Sequence, residues 1–107
     1  MLYKFKSKAA GDLIMLEPNG RRVLEIIGKE PGAKGIILPE QMNPAITALE
    51  HAVAQEEADH RAAIDEARAA GRPLPSFEAI SLRQRVLPFT DMLKRCSAAD
   101  KEIVWGV

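Results

Sequence analysis

The first stretch of the chain alternates between apolar and charged side chains. Over residues 2–6 the aromatic side chains lie on one face and the lysines on the other, a period of two that predicts a half-buried β-strand. A short apolar run at 13–16 predicts a second strand, and the polar and glycine residues at 8–12 predict the turn before it. The two strands together predict a β-hairpin.

The next segment is compatible with two structures. Residues 17–20 end in Asn-Gly, which favours a hairpin turn between apolar runs, but Asn19 is also a favourable helix N-cap. The apolar residues that follow recur at helical spacing up to Gly28, a residue typical of a helix end. This spacing favours a short helix over 20–28.

The clearest pattern is that of a long helix. Asn43 is a good N-cap, Pro44 suits the first helical position, and no glycine or proline interrupts residues 45–70 before Gly71. At about 1.5 Å per residue the helix would be roughly 40 Å long. Because a domain of this size has a radius of gyration of about 13 Å, we expect the helix to extend beyond the body of its domain.

One face of this helix changes character along its length. It is apolar in its first turns, polar at Glu56, Glu57 and His60, and apolar again at Ile64 and Ala67. Either the later turns leave the core or the polar gap contacts something, inside or outside the chain. We expect Ile64 and Ala67, with Glu57 beside them, to form an interface with a second chain.

Three further patterns complete the predicted fold. Apolar runs at 35–38 and 102–107 predict strands, and the helical period after Ser81 predicts a helix to about residue 97. Pro88 lies inside that helix and is expected to kink or break it. The sequence therefore predicts an α+β protein, with a small mixed sheet of about four short strands packed with one short and two longer helices.

Size and charge narrow the function. A chain of 107 residues is the size of one domain, which we expect to span residues 1–107. Its formal net charge is zero, which argues against nucleic acid as a partner because contacts to phosphates supply much of that affinity. The charge is uneven, since residues 39–70 carry seven acidic and two basic side chains. This asymmetry could steer a protein partner or a second copy.

The cysteine content and the apolar runs bear on location. Cys96 is the only cysteine, so no disulfide forms within the chain and a reducing cytoplasm is the expected location. A lone cysteine is expected to be a buried apolar side chain rather than a nucleophile. The longest uncharged apolar run, at 13–16, is too short for a membrane span or a signal peptide, so no membrane partner is expected.

The polar gap of the long helix is the first candidate site. Glu56 and His60 are four residues apart, so they share a face and could bind a transition metal. A site needs a third ligand, and His51 falls on the opposite side of the helix. A symmetric dimer could supply further ligands, but a solvated polar face is the simpler interpretation. No other cofactor is predicted.

A second candidate is an anion site formed by Asn19, Gly20, Arg21 and Arg22. If a helix begins here, its free N–H groups and the two arginines could bind an anion such as phosphate. However, basic residues oppose the dipole of a helix N-terminus, and no glycine-rich phosphate motif occurs in the chain.

The lysines of the first strand are a third candidate. Lys4, Lys6 and Lys8 interleave with Tyr3 and Phe5, as in readers of single-stranded nucleic acid, but alternation puts the aromatic side chains opposite the lysines. The simpler interpretation is that the aromatic side chains pack in the core and the lysines are solvated. The chain has no Gly-x-Ser-x-Gly motif and few histidine or cysteine residues, so it favours a non-enzymatic protein.

Six short strings give the chain a family resemblance. They are MLYKFKSK (1–8), GDLIML (11–16), GRRVL (20–24), LPEQM (38–42), SLRQR (81–85) and VWG (104–106). The chain resembles, over nearly its whole length, the domain of unknown function 1840, a family found mainly in proteobacteria. The resemblance implies a small cytoplasmic bacterial protein and assigns no activity and no site residues.

The function expected from the sequence is therefore a general one. We expect a non-enzymatic interaction or regulatory protein that self-associates through its helices as a homo-oligomer, or that binds another protein. The alternative is a protein that binds a small anion or a metal.

Overall fold

A computed structural model describes residues 2–106 as four strands and three helices. In chain order these are β1 (Leu2–Ser7), β2 (Ala10–Leu16), α1 (Glu17–Ile26), β3 (Gly35–Ile37), α2 (Pro39–Ala69), α3 (Leu82–Ala99) and β4 (Ile103–Trp105). The predicted order of elements and the α+β architecture are confirmed. The last predicted strand was expected to reach Val107, which, like Met1, lies outside the described residues.

The four strands form one sheet in the order β2-β1-β4-β3. All three neighbouring pairs are antiparallel, so the expectation that the sheet is mixed is wrong. The reason is topological. β4, the last strand in the chain, inserts between β1 and β3 and runs antiparallel to both, with Phe5 opposite Trp105 and Ile36 opposite Val104.

The hairpin of β1 and β2 is confirmed, but its turn is tighter than predicted. Only Lys8 and Ala9 form the turn, because Ser7 lies directly opposite Ala10. The Ala9 N–H donates to the Ser7 hydroxyl over 3.3 Å, which supports the tight turn. Most of the predicted turn at 8–12 therefore belongs to β2.

The two faces of the sheet differ in what covers them. The face we call the inner face carries Tyr3, Phe5 and Trp105 and packs against the helices in one buried core. Phe5 lies at the centre of its aromatic cluster, with ring centroids 4.8 Å from Phe89 and 5.9 Å from Trp105. The opposite face, called the outer face below, carries Lys4 and is open to solvent.

Two aromatic side chains hold the loop between α1 and β3 against the sheet. The Tyr3 hydroxyl donates to the Pro31 carbonyl at 2.9 Å, and the Trp105 indole N–H donates to the Gly32 carbonyl at 3.1 Å. Gly35 lies against the Trp105 ring, where a Cβ would overlap the indole. The loop is therefore ordered although it has no regular structure.

Helix α1 confirms the helical interpretation of the segment after β2, but it begins at Glu17, three residues earlier than predicted. Leu16, in an extended conformation, occupies the N-cap position that was expected for Asn19. The chain passes directly from β2 into the helix because Glu17 and a proline at the second position suit a first turn. Gly28 ends the helix with φ +82°, as predicted.

Helix α2 also begins earlier than predicted, at Pro39 rather than after Asn43. Its N-cap is Leu38, whose N–H donates to the Gln41 side chain at 3.0 Å. Pro44 therefore lies inside the helix, where it leaves one exposed carbonyl without a helical partner. Gly71, with φ +66°, ends the helix as predicted.

Helix α3 begins at its predicted cap. Ser81 accepts from the Gln84 N–H at 3.2 Å, and the Gln84 side chain accepts from the Ser81 N–H at 3.0 Å, a reciprocal capping box. A kink or a break was expected at Pro88, and the break does not occur because the helix continues through this residue. The proline is exposed, and water can satisfy the carbonyl that it leaves unpaired.

The molecule is elongated, with extents of 53 × 28 × 21 Å and a radius of gyration of 16.1 Å. Helix α2 has 31 residues and is about 46 Å long at 1.5 Å per residue. The start of α3 meets α2 near Glu56 and Glu57, so the residues of α2 beyond that point extend past α3. The prediction that this helix extends beyond the body of the domain is confirmed.

Candidate functional site

The polar gap of α2 meets the N-terminus of α3. The Glu56 carboxylate accepts a hydrogen bond from the Leu82 N–H at 2.9 Å. This N–H belongs to the first residue of α3, where the helix dipole favours a negative charge. Glu56 therefore joins two helices. This contact within the same chain explains why a carboxylate interrupts the apolar stripe of α2.

Glu57 makes the second contact between the two helices. The Arg83 guanidinium donates to both Glu57 carboxylate oxygens, each over 2.9 Å. These hydrogen bonds hold the pKa of the Glu57 carboxyl below its usual value, and they raise the pKa of the Arg83 guanidinium. Both side chains are exposed, so the pair lies at the rim of the helix contact.

His60 lines a cleft beside these contacts. Its ring stacks on Phe77, with centroids 3.8 Å apart and planes 14° apart. Phe77 belongs to residues 72–80, called the return segment below, which runs back along α2 from its end to the start of α3. The cleft has a volume of about 550 Å³ and is also lined by Arg22 and Glu56.

The predicted metal pair lies in this cleft, but the Glu56 carboxylate is shared with other partners. One Glu56 oxygen is 3.8 Å from His60 Nε2 and 3.9 Å from an Arg22 nitrogen, while the other oxygen accepts from Leu82. Within residues 2–106 no group of three or more His, Cys, Asp or Glu side chains is placed to hold a metal ion. The competing arginine further disfavours a cation there.

Only two of the four residues of the predicted anion site, Asn19 and Arg22, line the same pocket. The Asn19 side-chain oxygen accepts from the Arg85 guanidinium at 2.9 Å, and Gly20 is buried against the Tyr3 ring. Arg21 is exposed, and only Arg22 reaches the cleft. The cause is the earlier helix start, which moves both arginines out of the first turn and away from the free N–H groups.

The residues predicted for a helix interface lie partly against their own chain. Ala67 is buried, although it is not part of the main core, and Ile64 is half-buried. The return segment follows directly after this end of α2, and the Arg72 N–H donates to the Ala67 carbonyl at 2.8 Å. Glu57, the third residue of the set, is paired with Arg83 as described above.

The apolar character of the outer face was not predicted from the sequence. Large side chains on this face remain 41–63% exposed. They are Leu2, Ile14, Leu16 and Ile36. The pairing of the strands puts Leu2 directly opposite Leu16. The signal was present in the sequence, because strict alternation assigns Leu2 to the same face as Lys4.

Other predicted features are in place. Cys96 is fully buried, as expected for an apolar cysteine. Lys4 and Lys6 lie on β1, an interior strand, and so project from the outer face rather than from an edge. Among residues 2–106, no helix combines the length and apolar character that a membrane crossing requires.

These features define a small α+β protein with a charged cleft between its helices and an open apolar face on its sheet. The chain belongs to the family described as Domain of unknown function (DUF1840), whose model matches residues 1–105. No curated protein and no solved structure matches the chain.

Proposed function

We propose that the protein is a non-enzymatic interaction protein whose outer face binds a protein partner. The observation that carries the proposal is the exposure of Leu2, Ile14 and Leu16 beside one another on that face, with Ile36 exposed on the same face two strands away. An antiparallel sheet with one solvated face normally presents polar side chains there. Contiguous exposed apolar side chains with polar neighbours are typical of protein interaction sites.

The charges on this face indicate the chemistry of the partner. Lys4, Lys6 and Lys8 outnumber Asp12 and Glu102 in this region, and Asp12 is paired with Lys4 at 3.6 Å. The excess positive charge favours a partner that surrounds apolar side chains with carboxylates. The protein would have a regulatory role if its binding prevented the partner from binding another molecule.

The proposal can be tested by photo-cross-linking in cells. A photoreactive amino acid is placed at Ile36 or at Val104, which lie opposite each other on the outer face, and at exposed Ala62 on α2 as a control. We expect both outer positions, and not Ala62, to cross-link to the same acidic protein. Equal products from all three positions, or none, would contradict the proposal.

A charge reversal makes this test specific. Lys6→Glu should reduce the cross-linking yield because Lys6 lies opposite Val104 on the outer face. Lys94→Glu is the matched control, since it changes the net charge equally on the exposed side of α3. A yield that falls equally in both variants would show that only the overall charge matters.

A second candidate function is the binding of a small anion in the cleft. The specific observation in its favour is that Arg22, Ser76 and Ser81 line the same cleft as the stacked rings of His60 and Phe77. The Glu56 carboxylate opposes an anion there, so this function stands second. No observation favours a metal.

Inorganic phosphate tests the second candidate. Phosphate should raise the melting temperature of the wild type and of Arg21→Ala, but not that of Arg22→Ala, because only Arg22 reaches the cleft. Arg21 is the matched control, as the adjacent exposed arginine. A wild-type melting temperature that does not respond to phosphate would remove this candidate.

The proposed location is the cytoplasm. What supports it is the presence of one cysteine, which is a buried free thiol, in a chain that uses no disulfide.

A further inference from the structure

The two edges of the sheet are protected to different degrees. β3, at one edge, has three residues and is followed by Leu38 and Pro39, which limits any added pairing. β2, at the other edge, has seven residues and contains neither lysine nor proline. A bulge interrupts its register with β1 at residues 10–13, and the pairing is regular over residues 13–16. Its one charged side chain, Asp12, is paired with Lys4 of the neighbouring strand. Native proteins rarely leave a regular edge such as residues 13–16 unprotected, since it can pair with another strand.

Helix α3 lies beside this edge and bounds a groove with it. The groove has a volume of about 230 Å³ and is lined by Gly11 and Leu13 of β2 and by Pro88, Asp91 and Arg95 of α3. Asp91 and Arg95 are exposed and four residues apart, so they share one face of the helix. Over the described part of the chain, neither of these two side chains makes an ion pair.

We propose that the β2 edge and this face of α3 bind a second copy of the chain in a twofold-symmetric dimer. A strand that pairs with its own copy about a twofold axis runs antiparallel to it, and the two α3 helices then lie antiparallel beneath the joint. Asp91 of each copy comes opposite Arg95 of the other. A helix face that carries both charges at this spacing is complementary to itself, which favours a second copy over a different partner.

The dimer would join the two sheets into one. The outer faces of both copies lie on the same side, so Ile14 of one copy comes close to Ile14 of the other, and the apolar area available to a partner doubles. The inference goes beyond the proposed function, because it uses the backbone edge of β2 and one face of α3 rather than the side chains of the outer face. Self-association then uses α3 rather than the predicted residues of α2.

Charge exchange tests the dimer. In sedimentation equilibrium the wild type should reach twice the chain mass of 11.7 kDa. Asp91→Arg and Arg95→Asp should each raise the dissociation constant at least about tenfold, because each places like charges opposite one another. The double variant Asp91→Arg/Arg95→Asp should recover most of the affinity. Lys94→Asp, which changes the net charge as Arg95→Asp does, should leave the dimer unchanged.

The strand edge provides an independent variant. Ile14→Lys introduces a lysine on the edge strand at a side chain that is 56% exposed, so the fold should be retained while pairing of the edges is opposed. A wild type that is monomeric at every concentration would overturn the inference. So would a dimer that is insensitive to all the single changes, or a double variant no tighter than the single ones.

These outcomes are separate from those of the proposed function. Asp91→Arg should weaken the dimer and leave the cross-linking of a partner from Ile36 and Val104 in place. Loss of the cross-linked partner with an intact dimer would contradict only the proposed function.

Discussion

The two halves of α2 differ both in charge and in surroundings: three of the 18 residues in 39–56 are charged, against six of the 13 residues in 57–69. In residues 39–56 the buried side chains include Met42, Leu49 and Val53, which pack in the main core. In residues 57–69 only Ala67 is buried, and it lies outside that core. One continuous helix is therefore held by the core over only part of its length, and the more charged part lies outside it. Most of a helix's stability in a protein comes from the apolar face that it packs.

The largest expected difference between the two halves concerns apolar side chains. Leu49→Ala removes a fully buried side chain from the core and should lower the free energy of unfolding by about 2–5 kcal/mol. Ile64→Ala changes a half-buried side chain in residues 57–69 and should lower the free energy of unfolding by roughly 1 kcal/mol. Urea unfolding measures both. Equal losses would mean that the distal half is as well packed as the proximal half.

The junction between the two halves should give the next largest effect. Glu56→Ala leaves the Leu82 N–H without its acceptor at the start of α3 and should cost about 1–3 kcal/mol in unfolding free energy. Glu56→Gln keeps an acceptor oxygen and should cost less. If the two variants are equally destabilised, the hydrogen bond to Leu82 is not what this carboxylate contributes.

A smaller effect is expected from the return segment. Phe77→Ala removes the ring that stacks on His60 and should lower the global free energy of unfolding by roughly 0.5–1.5 kcal/mol. Amide hydrogen exchange should become faster in residues 57–69 and 72–80, and stay unchanged in 39–56. Uniform acceleration along α2 would show that the two halves open together.

The smallest effect is the pH dependence of the Glu57–Arg83 pair. The pKa of Glu57 is lowered in the folded protein by its hydrogen bonds to Arg83. The stability that the Glu57 carboxylate contributes is therefore fully present above its ordinary pKa of 4.5. This stability is lost as the pH falls through the lower pKa that Glu57 has in the folded protein. The stability difference between the wild type and Glu57→Gln should shrink in that range and stay constant above it. If this stability difference grew as the pH fell, the pKa of Glu57 would not be lowered by folding.

Much of the fold could be predicted from local patterns. The alternation in β1, the capping box at Ser81 and the glycines that end α1 and α2 each act within a few residues, so the sequence shows them directly. The starts of α1 and α2 were wrong because Leu16 and Leu38 take the N-cap positions. An apolar N-cap has no side-chain signature to recognise.

The candidate site was predicted less well, for a physical reason. The partners of the polar gap are Leu82 and Arg83, which lie 26 residues further along the chain. Periodicity shows that Glu56 and Glu57 share a face with apolar residues, but it does not show what that face meets. The exposed outer face was missed because an apolar side chain opposite lysines has the same pattern whether or not another molecule covers it.

The position of β4 has a consequence for how quickly the protein folds. β3 pairs only with β4, and β4 reaches β1 through the pairing of Phe5 with Trp105, residues separated by almost the whole sequence. Closing so long a loop is entropically costly, and contacts of this range slow folding. The hairpin and helices can form before the sheet closes. Trp105 is the only tryptophan, so the change in its fluorescence on burial would time that last event.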